Sequence, residues 1–321
     1  MEIVFCCLFS YMIYLAPLQG FTDFVYRKAY ARIFKGVDAY FIPYISMKKD
    51  TILSKYAKEI AVINNPQARV IPQILPGNSN EMVLMAKQLK DIGYNEINLN
   101  LGCPYPMVTN RGKGSGLLPY PDKIESILTS YFEKWNSGLS VKLRAGLQSA
   151  SEMEQIIPVL NKFPLKEVIL HPRIAKQLYG GTILDETFLA AYKDLKLELV
   201  FNGDIFTFSD YKKRKQQFPA TDKWMLGRGI LMNPFLPSEI NEIDLTLEIR
   251  REKLLDFHRL MLESYLEIMD NEGNALNKMK QFWFYFSYNF PNPAKALKHI
   301  KKSKNILQYK SEVKKIFYHL Y

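Results

Sequence analysis

The stretch Asn98-Leu99-Asn100-Leu101-Gly102-Cys103-Pro104, followed by the glycine-rich run Arg111-Gly112-Lys113-Gly114-Ser115-Gly116-Leu117-Leu118, decides how the chain is read. A short apolar strand that opens at Glu96-Ile97 ends here, so Asn100 and Cys103 stand where strand gives way to loop. Gly102 permits a tight backbone, and Pro104 stops strand pairing. In a βα barrel that edge carries the chemistry. A thiol and an amide on such a loop can act on a flat ring lying across the barrel mouth. On this stretch alone, a buried structural cysteine beside a turn fits equally well.

Working outward, short apolar runs alternate with amphipathic stretches. Strands are expected at Tyr14–Pro17, Ala39–Ile45, Arg69–Leu75, Glu96–Asn100, Leu139–Arg144, Glu167–His171, Leu197–Asn202 and Lys223–Gly227. Helices are expected between them, at Thr22–Phe34, Asn78–Asp91, Asp122–Trp135 and Ser151–Leu160. This repeating pattern predicts an α/β fold, a TIM (β/α)8 barrel. A doubly wound sheet would want a GxGxxG turn after the first strand, and none is present. Gln73, Asn100, Lys142, His171 and Asn202 all fall at the C-terminal ends of strands, which a barrel gathers on one rim.

Beyond Pro237 the pattern becomes purely helical. Ile243–Met269 is one long helix, Asn271–Asn274 a turn, Ala275–Tyr288 a second helix, and two basic stretches finish the chain. The expected division is a leader at 1–11, a barrel at 12–237 and a small all-helical domain at 238–321. From Asn274 to Tyr321 there are ten lysines against one acid, Glu312, within a chain of net charge +11. That balance suits a polyanion such as nucleic acid, although a solvated lysine face accounts for any single run.

Cysteine use is sparse, at Cys6, Cys7 and Cys103, with no disulfide framework and no zinc spacing, so a reducing cytoplasm is the expected compartment. Residues 1–14 are apolar but lack a basic n-region and a cleavage site, and they are short for a membrane span. No membrane association is expected. Met12 is the expected start, Met1 the alternative. The run Gly112-Lys113-Gly114-Ser115-Gly116 lacks the strand–helix context of a Walker motif, which argues against ATP.

Several motifs then stand in one order. Leu15-Ala16-Pro17-Leu18-Gln19-Gly20-Phe21-Thr22-Asp23 resembles the LAPM-x-G-x-TD opening of the tRNA-dihydrouridine synthases. Asn100-Leu101-Gly102-Cys103-Pro104 with Gly112–Leu118 is similar to their N-x-G-C-P…G-x-G-S-x-L-L signature. Val141-Lys142-Leu143-Arg144-Ala145-Gly146, His171-Pro172-Arg173, Asn202-Gly203-Asp204 and Gly227-Arg228-Gly229 resemble their V-K-x-R-x-G, H-x-R, N-G-D/E and G-R-G. Leu18 and Gln19 replace a Met and a varied residue, Pro172 replaces the usual Gly, and Ile174 stands for the common Thr. Lys280-Gln281-Phe282-Trp283-Phe284-Tyr285-Phe286 resembles the K-Q-W-L-x-Y-L helix of class C bacterial members.

The resemblance implies reduction of the C5–C6 bond of a D-loop uridine in tRNA, at position 16 with position 20 as the alternative, using FMN recharged by NADPH. It further implies Cys103 as the catalytic acid. Pro17, Leu18, Gln19, Gln73, Lys142 and His171 would surround the flavin ring. Asn202, Gly203, Asp204, Gly227 and Arg228 would hold its phosphate tail, and Asn100 and Arg173 would contact substrate. The basic helical domain would grip the RNA, and a monomer is expected. A small-molecule FMN oxidoreductase of the dihydroorotate dehydrogenase type is the rival reading, against which the lysine-rich appendage argues. An RNA-binding protein with a decayed site is a second rival, against which the intact Asn100, Cys103, Lys142 and His171 set argues.

Overall fold

The computed structural model describes residues 11–319. The expected leader, with Cys6 and Cys7, therefore lies outside the described residues, apart from Tyr11. Among the described residues ten strands form: β1 Met12–Leu15, β2 Ala39–Ile45, β3 Met47–Lys48, β4 Thr51–Ile52, β5 Arg69–Ile74, β6 Ile97–Leu101, β7 Leu139–Gly146, β8 Val168–Ile174, β9 Leu199–Asn202 and β10 Lys223–Leu226. Eight of them close into a parallel barrel in the order β1-β2-β5-β6-β7-β8-β9-β10, and β10 pairs back onto β1. The TIM barrel expectation holds, with all eight expected strands present. The antiparallel β3–β4 ribbon was not anticipated from sequence, because two-residue strands carry no periodicity to read.

Strand alternation divides the barrel into two cores. Tyr14, Ala16, Ala39, Phe41, Ile71, Ile169, Val200 and Met225 point inward and form their own buried cluster. Their neighbours, such as Ile13, Tyr40, Leu99, Val141, Leu170, Phe201 and Trp224, face the surrounding helices in a second, much larger cluster. The floor is closed by charge: Arg69 pairs with Glu96 at 2.8 Å and with the buried Glu167 at 3.3 Å, and Tyr14 donates to Glu167 at 2.9 Å. The rim, at the opposite end, is left for function.

Helices start where short polar side chains offer caps. Asp23 caps Phe24–Ile33 by accepting from the Tyr26 amide, and Asn78 caps Ser79–Ile92 by accepting from Glu81. The second C-terminal helix runs Glu272–Phe286, so the expected turn at Asn271–Asn274 is instead its first turn, with Asn271 accepting from the Asn274 amide. An Asx cap and an Asx turn share one sequence signature, so composition does not separate them. The helices Leu247–Ile268, Glu272–Phe286, Pro293–Lys302 and Ile306–His319 complete the chain, and the short helix Leu236–Ile240 leads into them. No helix among the described residues is long and apolar enough to cross a membrane.

The helical unit shares the barrel's core. Phe257 packs edge-on against Tyr26 of the first barrel helix and Phe34 at its C-cap, at 5.5 and 5.1 Å, and Phe282 joins them. Inside the unit, the Tyr309 hydroxyl receives the Trp283 indole N–H at 2.8 Å and lies 2.6 Å from His258 Nε2. Burial pushes the His258 imidazole down to about 3, so it is neutral at physiological pH. Tyr309→Phe removes the one atom satisfying both groups and is expected to cost about 2 kcal/mol. Urea unfolding with an unchanged slope checks this, and an unshifted midpoint refutes it.

Candidate functional site at the barrel rim

Inward parity carries polar side chains up to the rim. Above the apolar interior layer stand Gln73 on β5, Asn98 and Asn100 on β6, Ser140 and Lys142 on β7, His171 on β8 and Asn202 on β9. Register sets Gln73 beside Asn98, and Asn100 beside Lys142. Gln73 Nε2 donates to Asn98 Oδ1 at 2.7 Å, and Asn98 donates to Ser140 Oγ at 2.8 Å. Asn100 Nδ2 donates to Gln73 Oε1 at 2.6 Å.

Asn100 does a specific local job. Its Oδ1 accepts the backbone N–H groups of Gly102 at 2.9 Å and Cys103 at 2.8 Å, which bends the strand end into the loop that presents the thiol. From the other side, the Cys103 carbonyl accepts both the hydroxyl and the amide of Ser115, at 2.8 and 3.1 Å. Gly114, at φ +58°, lies so close that an added Cβ would meet Cys103 Cβ and O at 2.9 Å, and one on Gly116 would meet the Thr109 carbonyl at 2.5 Å. The glycine-rich run is therefore a bracket for the cysteine loop, not a phosphate cradle. Cys103 itself is buried beside Leu75 and Val108, with Tyr44 packed against them. Burial pushes its thiol up, which keeps it protonated at neutral pH.

A second group of expected residues surrounds a cavity. It is lined by Ala16, Pro17 and Leu18 on one wall, Lys142, His171 and Tyr179 at the centre, and the loops Asn202–Phe206 and Gly227–Gly229 on the other. Gln19 is exposed and stays outside this lining, and Gln73 lies buried outside it. Asn202 is fixed by donating to the Met225 carbonyl at 2.8 Å. A Cβ on Gly229 would meet the Ile205 carbonyl at 2.1 Å, so the loops after β9 and β10 interlock by their own packing.

The electrostatics are strongly positive. Arg173 grips Asp204 with two donated bonds, at 3.0 and 2.6 Å, and Arg228 donates to the same carboxylate at 2.9 Å. Burial would raise that carboxyl, but the two guanidiniums hold it below the usual carboxylate range. Asp204 thus orients two arginines, and any anion here would be met by them and not by the carboxylate. Arg173 is itself buried, with further bonds to the Gly180 and Gly181 carbonyls. Among the described residues Lys142 has neither an ion pair nor a hydrogen bond, and burial, with Arg144 nearby, pushes its ammonium down to about 7. His171 is pushed well below its ordinary value by burial and by the charges of Lys142, Arg144, Arg173 and Arg228. It is a neutral imidazole.

Sequence reading did not single out Ala16, Tyr179, Ile205 or Phe206 as lining. Tyr179 lies between the guanidiniums of Arg228 and Arg144, at 4.8 and 5.5 Å from its ring centre. Nothing in its sequence neighbourhood signals this, since the contact is made by loops distant in the chain. Arg144, within the Lys142 motif, donates to the Gly102 and Ile174 carbonyls and so ties the loop after β6 to the end of β8.

The raised thiol generates a direct expectation. Peptide-resolved alkylation of Cys103 should climb steadily with pH and show no plateau below pH 9.0, the ordinary thiol value from which burial raises it. A plateau near neutrality would mean a thiolate and refute the assignment of a protonated donor.

Known proteins share this architecture. Morphinone reductase superposes with a TM-score of 0.54 over 72% of this chain and 85% of its own, at 9% identity. The old yellow enzyme homologue from Zymomonas mobilis gives a TM-score of 0.54 over 74% and 91%, at 10% identity. These likenesses concern the fold alone. By sequence, a probable tRNA-dihydrouridine synthase of Rickettsia bellii is 26% identical over 88% of this chain and 87% of its own length. The tRNA-dihydrouridine synthase B of Pasteurella multocida is 26% identical over 70% and 67%. The profile of the family described as Dihydrouridine synthase (Dus) matches residues 14–317, from the first barrel strand into the last helix, and the chain belongs to that family.

Proposed function

We propose that the chain is a flavin-dependent tRNA-dihydrouridine synthase that reduces the C5–C6 bond of a D-loop uridine. The observation that carries this reading is a lysine on β7, unpartnered among the described residues, and a protonated thiol on the loop after the adjoining β6, both at one electropositive rim. The residues fit FMN. Lys142 supplies a cation without a carboxylate partner among the described residues, and Arg173 and Arg228 share the single carboxylate of Asp204 and so leave a net positive charge. The loops after β9 and β10 stand where barrels commonly bind phosphate, and Ala16, Pro17 and Leu18 give an apolar wall for a ring. Bound FMN would supply the hydride, from N5 to uracil C6, and NADPH would recharge it.

The chain's own residues do the rest. Cys103 holds a proton that it donates to C5, and burial keeps that proton in place at neutral pH. Asn100 and the Gly114–Leu117 turn hold the thiol at one position on the rim. Lys142 offers a cation whose value of about 7 rises when a negative charge arrives beside it. His171, neutral, offers a hydrogen bond without adding charge. Exposed lysines on the last two helices, among them Lys298, Lys301, Lys302 and Lys310, supply the phosphate-directed grip on RNA that base extrusion needs. Position 16 is the proposed target, from the Lys280–Phe286 helix.

Cys103→Ala is expected to keep bound FMN and lose turnover by at least about a hundredfold. Dihydrouridine formed at the wild-type rate would remove Cys103 as the acid. Lys142→Met is expected to weaken FMN binding by about tenfold. The pH dependence has a definite sign. An anion beside Lys142 favours its ammonium, so binding takes up a proton above pH 7, and affinity falls as pH rises beyond that value of about 7. Titrations across that range should slope for the wild type and lie flat for Lys142→Met; equal slopes would count against the lysine. The deciding experiment is nucleoside-resolved mapping of dihydrouridine in unmodified tRNA incubated anaerobically with the protein, FMN and NADPH. New dihydrouridine at position 16 supports the reading, position 20 corrects the site, and none overturns it.

A further inference from the structure

The loop that carries Pro17 and Leu18 is not held by the barrel alone. It is a tight turn in which Thr22 Oγ1 accepts from the Leu18 amide at 2.8 Å and Gly20 sits at φ +80°. From the helical unit, Lys278 Nζ donates to the Gly20 carbonyl at 2.9 Å and pairs with Asp23 at 2.8 Å. Tyr265 donates to the same carboxylate at 2.9 Å, and Tyr285 packs edge-on against Phe21 at 5.0 Å. The opposite wall is also gripped from that side. Asn289 Nδ2 donates to the Met232 carbonyl, at the end of the short helix that begins with Arg228, at 2.9 Å.

We infer that Lys278 is a positioning residue for the barrel cavity: from the helical unit it fixes the turn that presents Pro17 and Leu18, so that ligand in the cavity and RNA on the helical unit bind with coupled affinities. The inference rests on the flavin reading above. Lys278 and Asp23 are each only 17% exposed, so this pair is shielded from the solvent that makes surface ion pairs worth little. Gly20, at φ +80°, is free to turn its carbonyl elsewhere, so the bond from Lys278 is what holds that group toward the helix. A cavity wall anchored by one structural unit and lined by another can be loosened from either. Whatever orders the helical unit then orders the wall, and thermodynamic linkage requires the effect to be reciprocal.

The test uses the full-length chain and titrates FMN without RNA. Lys278→Met keeps the aliphatic stem and removes both polar contacts. It is expected to weaken FMN binding by about fivefold, the low end of measured couplings between sites. Lys278→Arg should restore most of the loss, and Lys134→Ala, which alters only an exposed charge on the barrel, should leave FMN affinity unchanged. In the wild type, the dissociation constant for an unmodified tRNA transcript should fall by a similar factor when FMN is added, a measurement that needs no variant. Unchanged FMN affinity in Lys278→Met overturns the inference, and a loss confined to RNA affinity reassigns Lys278 to the RNA. Wild-type RNA binding indifferent to FMN overturns the coupling. A wild-type chain that binds no FMN removes the flavin reading itself, which the first titration reveals before any variant is made.

Discussion

The rest of this structure depends on the two-residue alternation of eight short parallel strands. Each strand has one face inside the barrel and one against the helices, and a slip of one residue would exchange them. Ile13, Leu99, Val141, Leu170 and Trp224 would then turn into the interior, and Asn98, Asn100, Lys142 and His171 would face the apolar helices. Burying those polar groups without partners would cost far more than any single contact recovers. Register is therefore fixed by the same residues that make the site. The functional rim is the place where the interior alternation runs out of apolar residues.

Two titratable groups at this rim move in opposite directions for one physical reason. Removal from water disfavours charge, so the Cys103 thiol is pushed up and the Lys142 ammonium down. The first change secures a proton that can be given away. The second makes a cation whose charge depends on what lies beside it. Asp204, the carboxylate among the cavity-lining residues, could have neutralised that lysine, but Arg173 and Arg228 occupy it. The arrangement leaves positive charge unspent where a phosphate-bearing, electron-accepting ring would lie.

Much of this was legible in the sequence, because barrel strands announce themselves. They are short, apolar and regularly spaced, and their polar ends fall where the chain turns. The position of Cys103 on a rim loop was equally legible. What the sequence hid was the division of labour among polar residues. Asn100 suggests a substrate contact by its amide, yet its oxygen is taken by two loop amides. Asp204 suggests a phosphate loop, yet it organises two arginines. The glycine run suggests a ligand cradle, yet a Cβ at Gly114 would strike the cysteine. In each case the deciding partner lies on another loop, many residues away, and local pattern has no access to it. Tyr179 and the Asp23–Lys278 pair were invisible for that reason too.

The shared core between barrel and helices changes what kind of object the lysine-rich segment is. An appendage joined by a linker could be removed and the barrel would stand. Here Tyr26 and Tyr30, on a barrel helix, and Phe34 at its C-cap are buried against Phe257 and Phe282, and the same cluster continues through Phe286 and Phe317. Truncation after the barrel would expose that aromatic seam, at a cost of several kcal/mol for each large ring uncovered. A truncated chain that failed to bind RNA would therefore report on folding as much as on recognition. Charge reversal at exposed positions such as Lys301 and Lys310 disturbs no buried contact, so on the proposed reading the salt dependence of RNA binding would count the phosphates such lysines face. The seam places the helical unit directly behind the turn that carries Pro17 and Leu18, so on the proposed reading the chemistry and the grip on RNA would share one folded body.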